Sequence, residues 1–328
     1  MIQDKIFLIT GGAGFIGSHI AEYLVNNNAK KVIVIDNLST GSLNNIKDLL
    51  NMENFEFYYG DLTNLNDCEY VIKKDIDVIC HQASLGSIPR SIDDPLKTHN
   101  SNVNGFLNLL EMARKYNVKR FVYASSSSVY GDNNSPVKQE QYIGTPLSPY
   151  AITKYIDELY GMIYSKLYNI ECIGLRYFNV FGPKQNPDGP YAAVIPKFIK
   201  LMLNGQNPTI NGDGSISRDF TFVQNVIQAN INAMLTTNEL CYGEIFNIGS
   251  NNTTSILEVF NLINKYMTEH INKWELYPIF GEPRLGDMQH SMADITKANN
   301  YLCYYPKIDF NSGLIQTIDY FKENLMTN

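Results

Sequence analysis

Short apolar runs alternate with longer amphipathic ones along the first half of the chain. The apolar runs are rich in Ile, Val, Phe and Tyr, and they predict strands at Lys5–Thr10, Lys31–Asp36, Glu56–Tyr59, Val78–Cys80, Arg120–Ser125 and Glu171–Arg176. Helical periodicity between them predicts helices at Phe15–Asn27, Leu43–Leu50, Asn66–Lys73, Thr98–Tyr116 and Pro149–Leu167. This alternation is typical of an α/β fold with a doubly wound parallel sheet and crossover helices.

After about Phe181 the regular alternation stops, and glycines and prolines become denser, as in Gly182-Pro183. Such residues interrupt helices and strands, so this half is expected to be smaller and more irregular. We therefore divide the chain into residues 1–180, which carry the sheet, and residues 181–328, which form mainly a smaller mixed α/β lobe. The boundary near residue 180 is approximate, because the chain is expected to cross between the two lobes.

The composition is that of an ordinary globular protein of 328 residues, with 44% hydrophobic and 18% charged residues. A net charge of −7 argues against general binding to nucleic acids or to anionic membranes. No apolar run approaches the roughly 20 residues that span a bilayer. Met1 to Thr10 lacks a secretory signal pattern, and the five cysteines are scattered, which favours reduced thiols in a cytoplasmic protein. The five histidines show no grouping typical of metal ligands, so no metal is expected.

A glycine-rich segment follows the first predicted strand and opens the first predicted helix. Gly11, Gly14 and Gly17 have the spacing GxxGxxG, which suits a tight turn, a close approach to a pyrophosphate and anion binding at a helix N-terminus. Asp36 ends the second strand, where a carboxylate can bind an adenosine ribose and repel a 2′-phosphate. The glycine-rich segment and Asp36 together predict that the cofactor is NAD rather than NADP. Asp61 follows the third strand and is either an adenine contact or a helix N-cap.

Tyr150 and Lys154 lie four residues apart, so in a helix they share one face. A neighbouring ammonium favours the phenolate and turns Tyr150 into a usable proton acceptor. A hydroxyl from the upstream serine run, Ser125 to Ser128, could hold the substrate oxygen whose proton is moved. Tyr and Lys at this spacing also occur by chance on many helices, so the remaining motifs decide the interpretation.

Those motifs closely resemble the extended short-chain dehydrogenase/reductase family, and within it the nucleotide-sugar 4-epimerases, most of all bacterial UDP-N-acetylglucosamine 4-epimerases. The resemblance covers nearly the whole chain. It rests on TGGAGFIGS from Thr10, DNLSTG from Asp36, SSSSVYGD from Ser125, SPYAITK from Ser148, LRYFNVFGP from Leu175, NGDGSISRDF from Asn211 and EPRLGDMQHSMADITKA from Glu282.

The resemblance implies a Rossmann-type fold that binds NAD and a UDP-sugar, with Ser126, Tyr150 and Lys154 as catalytic residues. The implied cofactor contacts are Gly11, Gly14, Phe15, Ile16, Gly17, Asp36, Asn37, Ser39, Thr40, Gly41, Asp61, Leu62, Ala83, Tyr150, Lys154 and Tyr177. The implied substrate contacts are Gly86, Ser87, Ser126, Ser127, Ser128, Asn179, Ala193, Val194, Arg218, Arg284, Asp287 and Ser291. Among these, Arg218 and Arg284 match arginines that bind the diphosphate, and Asp287 matches a ribose ligand.

The mechanism that the resemblance implies is internal redox. Tyr150 takes the proton of the sugar 4-hydroxyl while hydride leaves carbon 4 for NAD⁺, and the keto sugar turns over before hydride returns to its other face. Related 4,6-dehydratases typically carry an Asp-Glu pair after the catalytic hydroxyl, where this chain has Ser127 and Ser128. Decarboxylases tend to carry a Glu in that segment. The sequence therefore favours epimerisation over dehydration and decarboxylation.

Ser291 matches a position where a large aromatic residue would restrict entry to sugars without an acetyl group. A small residue leaves room for a 2-N-acetyl group, so UDP-N-acetylglucosamine and UDP-N-acetylgalactosamine are the expected substrates, with UDP-glucose and UDP-galactose as further ones. The alternative for Ser291 is a strand residue packed against a neighbour. Arg90 leaves open UDP-glucuronate or an N-acetylated UDP-uronate, because it could pair with a sugar carboxylate.

A remote alternative from another class is a non-enzymatic NAD-sensing regulator on the same fold, although such proteins usually lose the Tyr-Lys pair. The helices Thr98–Tyr116 and Pro149–Leu167 resemble the pair that forms an intermolecular four-helix bundle in family dimers. A homodimer is therefore expected. The apolar positions of the first helix, which include Val103, Phe106 and Leu110, could instead only cover the sheet.

Overall fold

The computed structural model describes residues 1–188, 192–272, 274–283 and 290–325. Its strands are β1 (Ile6–Thr10), β2 (Lys31–Asp36), β3 (Phe55–Tyr59), β4 (Val78–His81), β5 (Arg120–Ser126), β6 (Val137–Lys138), β7 (Glu171–Tyr177), β8 (Val180–Phe181), β9 (Thr209–Asn211), β10 (Ser217–Arg218), β11 (Thr221–Phe222), β12 (Glu244–Ile248), β13 (Thr254–Ser255), β14 (Ile279–Gly281) and β15 (His290–Ala293). Its α-helices are α1 (Phe15–Asn26), α2 (Leu65–Ile72), α3 (Ile88–Asp93), α4 (Pro95–His99), α5 (Gly105–Lys115), α6 (Pro149–Tyr168), α7 (Val194–Leu203), α8 (Val223–Leu235), α9 (Ile256–His270), α10 (Thr296–Leu302) and α11 (Phe310–Leu325).

A seven-stranded parallel sheet forms the centre of the molecule, in the order β12–β7–β5–β4–β1–β2–β3. Alternate residues of its strands enter two different cores, since side chains on a strand point to opposite faces. Phe7 and Ile9 pack against α1 and α8 on one face, whereas Leu8 packs against α2, α5 and α6 on the other. The sheet is therefore doubly wound, and the predicted Rossmann-type fold is confirmed.

Smaller sheets form around the carboxyl-terminal half of the chain. One has four strands in the order β13–β10–β15–β6, and two pairs join β8 to β11 and β9 to β14. The mixed α/β character expected of this half is present. None of the helices within the described ranges combines the length and the apolar character that a membrane crossing needs.

All six predicted strands are present, with each end within one residue of its predicted position. The seventh strand, β12, lies far along the chain and was not predicted. The helix predicted at Thr98–Tyr116 consists of α4 and α5 joined by a π-helical turn at Asn100–Asn104.

The predicted helix Leu43–Leu50 is wrong, because this segment forms two 3₁₀ turns, Leu43–Asn45 and Lys47–Leu49. Ile46, between them, has a non-helical ψ of 8°. The Asn45 amide donates to the backbone oxygen of Ala13 at 2.9 Å, which ties the segment to the glycine-rich loop. Short polar side chains that bond to nearby backbone compete with helix formation in this way.

Candidate active site

The crevice where the strand order reverses holds the candidate site. β1 pairs with β2 on one side and with β4 on the other, and ligands of such sheets bind outside the carboxyl ends of the strands at this point. A cleft of about 530 Å³ lies there and extends towards the start of α7.

The glycine-rich turn lines one side of this cleft, and its glycines lie so close to neighbouring backbone that a larger residue would not fit at their positions. Gly11 has a φ of +64°, and a Cβ on it would stand 2.7 Å from the Cα of Ala83. A Cβ on Gly17 would stand 2.3 Å from the backbone oxygen of Gly11. Gly14 is the N-cap of α1, so no side chain screens the N–H groups at that helix end. The turn is therefore suited to an anionic group lying against backbone.

Asp36 lies at the edge of the cleft, with its side chain anchored to backbone on both sides. One carboxylate oxygen accepts from Ala13 N at 3.0 Å and the other from Leu38 N at 2.8 Å. Burial raises the pKa of Asp36, and these two hydrogen bonds oppose that rise. Each oxygen keeps a further lone pair for a ribose hydroxyl. A Cβ on Gly41 would stand 3.0 Å from this carboxylate, which brings Gly41 close to Asp36 although it does not line the cleft.

Asp61 lines the same end of the cleft and is part of a polar network. Its carboxylate accepts from Asn37 Nδ2 and from the Thr63 N–H and hydroxyl, each at 2.8 Å. Burial works to raise the pKa of Asp61, but these hydrogen bonds outweigh it and the pKa is lowered. The N-cap interpretation of Asp61 is wrong, because Asn64 caps α2.

Helix α6 presents Tyr150 and Lys154 to the cleft. Ser148 caps it by accepting from Ala151 N at 3.1 Å, and Pro149 occupies its first turn, so the helix begins directly before Tyr150. Lys154 is 1% exposed, and its ammonium donates to the backbone oxygen of Ala124 at 3.0 Å. A Cβ on Gly86 would stand 4.0 Å from the Tyr150 hydroxyl, which places the sugar-side segment opposite the phenol.

Three serines of the predicted run have different surroundings. Ser125 lines the cleft and donates to the carboxylate of Glu158. Ser126 Oγ accepts from Ser128 N at 3.2 Å and caps the 3₁₀ turn Ser127–Tyr130. Ser128 Oγ is buried and has no hydrogen-bond partner among the described residues. The hydroxyl groups of this turn are thus held next to the carboxyl end of β5.

The structure brings most of the predicted cofactor residues together. The cleft is lined by Gly11, Gly14, Phe15, Ile16, Gly17, Asp36, Asn37, Ser39, Thr40, Asp61, Leu62, Ala83, Tyr150, Lys154 and Tyr177. Of the predicted substrate residues, Gly86, Ser87 and Ala193 also line it. Val194 begins α7 directly after Ala193.

The remaining substrate residues lie apart from the cleft lining. Arg218 on β10 and Ser291 on β15 are register partners in adjacent parallel strands, and Ser291 is buried. Asn179 donates to the backbone oxygen of Asp219, the residue after Arg218, at 3.2 Å. Ser291 is thus a strand residue next to a predicted diphosphate ligand. Arg284 and Asp287 lie outside the described residues.

Several lining residues were not singled out from the sequence. Gln82 and Ser84 follow β4, and Ala124 and Ser125 lie in β5 near its carboxyl end. The rule that ligands bind at the carboxyl ends of parallel strands could have found them. Gln185, Asn186 and Asp188 come from the loop after β8, and no sequence signal marks them.

Comparison with known proteins agrees with this geometry. The sequence profile of the NAD dependent epimerase/dehydratase family matches residues 7–249. The chain belongs to this family. NAD is therefore confirmed as the cofactor, and the glycine turn, the open N-terminus of α1 and Asp36 fit its pyrophosphate and ribose.

Individual members of the family resemble the chain over nearly its whole length. A Methanocaldococcus jannaschii protein named provisionally as a UDP-glucose 4-epimerase is 40% identical over 98% of this chain and 100% of its own. The UDP-glucose 4-epimerase of Thermotoga maritima, solved with UDP-glucose, superposes with a TM-score of 0.89 at 36% identity, covering 98% and 99% of the two chains. The UDP-N-acetylglucosamine 4-epimerase of Methanobrevibacter ruminantium, solved with UDP-N-acetylmuramic acid, gives 0.90 at 37% identity over the same shares.

Proposed function

We propose that this protein is an NAD-dependent UDP-sugar 4-epimerase that interconverts UDP-N-acetylglucosamine and UDP-N-acetylgalactosamine. One observation carries the proposal: Tyr150, Lys154 and the glycine turn line the same cleft, with Gly86 opposite the Tyr150 hydroxyl. A proton acceptor, an ammonium and a dinucleotide cradle in one crevice are what oxidation of a sugar hydroxyl requires. The family and the named epimerases among its members support the same reaction.

In the proposed mechanism Tyr150 removes the proton of the sugar 4-hydroxyl and, once hydride has returned to the opposite face of carbon 4, gives a proton back to the 4-keto oxygen. Lys154 lies about one helical turn from Tyr150 on the same face of α6, and an ammonium near a phenol favours its ionised form. Bound NAD supplies the hydride acceptor and donor. Ser126, at the carboxyl end of β5, provides the hydroxyl group for the reacting oxygen, and Arg218 binds the diphosphate about which the sugar turns. Phosphate suits the planar guanidinium, which forms two parallel hydrogen bonds.

Turnover without added cofactor tests the proposal. Purified protein is incubated with UDP-N-acetylglucosamine, UDP-glucose or UDP-glucuronate, and the epimers are separated by chromatography. We expect each N-acetylated sugar to be converted into its 4-epimer, with a transient reduced-nicotinamide signal. Binding of NAD and UDP-sugars without any turnover would contradict the proposal and favour an NAD-sensing regulator.

The choice of sugar is proposed to depend on space near Ser291. This side chain is small and buried, and it lies one strand from Arg218. Ser291→Tyr should therefore abolish turnover of N-acetylated substrates and spare UDP-glucose, because the larger ring fills the volume of the acetyl group. Ser291→Ala is the matched control and should keep both activities. Equal activity of Ser291→Tyr on both sugars would show that residue 291 does not select the substrate.

A UDP-uronate is the second candidate substrate, and Arg90 is the observation that favours it. Arg90 lines the cleft on the sugar side, as Ser87 does, and a guanidinium is suited to pairing with a sugar carboxylate. The UDP-glucuronate incubation decides between the two candidates. Faster conversion of UDP-glucuronate than of UDP-N-acetylglucosamine would assign the protein to uronates.

A further inference from the structure

Asp157 lies one helical turn beyond Lys154 on α6 and is completely buried. Its Oδ2 is 3.2 Å from the Lys154 ammonium, which also donates to the backbone oxygen of Ala124 at 3.0 Å. These two contacts use two of the three ammonium protons and leave one for a ligand in the cleft that Lys154 lines. Asp157 and Ala124 therefore fix where the ammonium points its remaining donor.

The carboxyl group of Asp157 is only half satisfied. Its Oδ1 is buried and has no hydrogen-bond partner among the described residues. Burial raises the pKa of Asp157 to about 7, although the Lys154 charge opposes that rise. A buried carboxyl with one unpaired oxygen costs free energy, so packing alone does not account for an aspartate at this position.

Other ionisable groups also face the pair from neighbouring elements. Glu158 follows on α6, but its carboxylate is held by Arg176 of β7 at 2.7 Å. His81 of β4 stays neutral, because burial and then the Lys154 charge lower its pKa to about 3. Tyr123 of β5 is protonated, since burial raises its pKa well above the usual value. Above its raised pKa of about 7, Asp157 is thus the carboxylate that balances the Lys154 charge.

We propose that Asp157 is a positioning residue that sets the proton affinity of Tyr150, by holding Lys154 and by opposing its positive charge. The proposal rests on the proposed function, in which Tyr150 is the base. Tyr150 and Asp157 are seven residues apart on one helix, which corresponds to about 10.5 Å along its axis. At an effective dielectric constant of about 20, a unit charge at that distance shifts a neighbouring group by about one pH unit.

Asp157→Asn removes this negative charge at nearly constant shape. The phenolate titration of Tyr150 is read as the ultraviolet difference between each protein and its Tyr150→Phe counterpart, with NAD bound. We expect the Tyr150 midpoint to fall by about one pH unit in Asp157→Asn, because the carboxylate no longer repels the negative charge of the phenolate. Asp157→Ser gives the same readout with a smaller side chain, and Asp157→Glu, which keeps the charge, should keep the midpoint close to that of the unchanged protein.

An unchanged Tyr150 midpoint in both Asp157→Asn and Asp157→Ser overturns the proposal, whatever happens to kcat or to thermal stability. A merely structural role would lower those two quantities without moving the titration. The acid limb of the kcat/KM profile should move in the same direction as the midpoint. Because the titration needs no turnover, a shifted midpoint in a protein inactive on every UDP-sugar would refute the proposed function and leave the role of Asp157 standing.

Discussion

At the scale of single residues, the site depends on small groups in positions that admit nothing larger. Gly11 and Gly17 leave the backbone free for a pyrophosphate, and a methyl group on either would collide with neighbouring backbone. Asp36 is held by two backbone N–H groups before any ribose arrives. The cradle is therefore preorganised, and the chemistry is left to Tyr150 and Lys154.

Tyr150→Phe removes only the hydroxyl proposed to act as the base. We expect the epimerisation rate to fall by about 10²- to 10⁴-fold, the usual contribution of a positioned general base. The fall is measured by chromatography of the UDP-sugars, and NAD binding should remain. Tyr160→Phe, on the same helix, is the matched control and should keep the full rate. A fully active Tyr150→Phe variant would remove this residue from the mechanism.

At the scale of elements, α6 connects folding to chemistry. Its N-cap, Ser148, lies directly before the turn that carries Tyr150, and its buried face carries Lys154, Asp157 and Glu158. The carboxylate of Glu158 pairs with Arg176 on β7, so the helix is held to the sheet by an ion pair as well as by apolar contacts. The position of Tyr150, the proposed base, thus depends on the Ser148 cap and on the packing of α6 against the sheet.

Ser148→Ala removes the capping hydrogen bond and should lower the free energy of unfolding by about 1 kcal/mol. It should also reduce kcat, because the first turn of α6 carries Tyr150. Ser255→Ala is the matched control, since Ser255 caps α9 through the same 3.1 Å contact to a backbone N–H. Denaturant unfolding should give similar losses for both variants, with kcat reduced only in Ser148→Ala. A comparable loss of kcat in both would show that general stability accounts for it.

At the scale of the whole molecule, the surfaces of the two predicted bundle helices differ. The apolar residues of α5, among them Phe106 and Leu110, are buried against the sheet, so this stripe covers the core of the chain itself. Helix α6 instead exposes a series of large apolar side chains: Ile152, Leu159, Met162, Ile163 and Leu167. Exposed apolar surface of this extent on one helix is typical of an interface. We propose that a homodimer forms through α6.

Leu159→Glu places a charge in the middle of this surface and should convert the dimer into a monomer, as measured by sedimentation velocity. Leu240→Glu is the matched control, because Leu240 is also exposed but lies outside α6. It should leave the sedimentation coefficient unchanged. A monomeric unsubstituted protein would contradict the proposed interface.

Local patterns in the sequence determined the parts of this protein that depend on neighbouring residues. Six strands of the main sheet and the helices α1, α2 and α6 could be predicted, because periodicity records which residues are buried. The glycine turn, Asp36 and the Tyr150–Lys154 pair could also be predicted. Within one turn or one helix, the spacing of residues along the chain determines which side chains lie close together.

Only the tertiary structure decided the features that join distant segments. It placed β12 beside β7 and Arg218 next to Ser291. The Leu43–Leu50 segment forms no α-helix, because Asn45 is bound to the backbone of Ala13. The tertiary structure also buried Asp157 beneath Lys154, although the two are only three residues apart. Burial and strand pairing depend on the whole packed chain, and a local pattern contains neither.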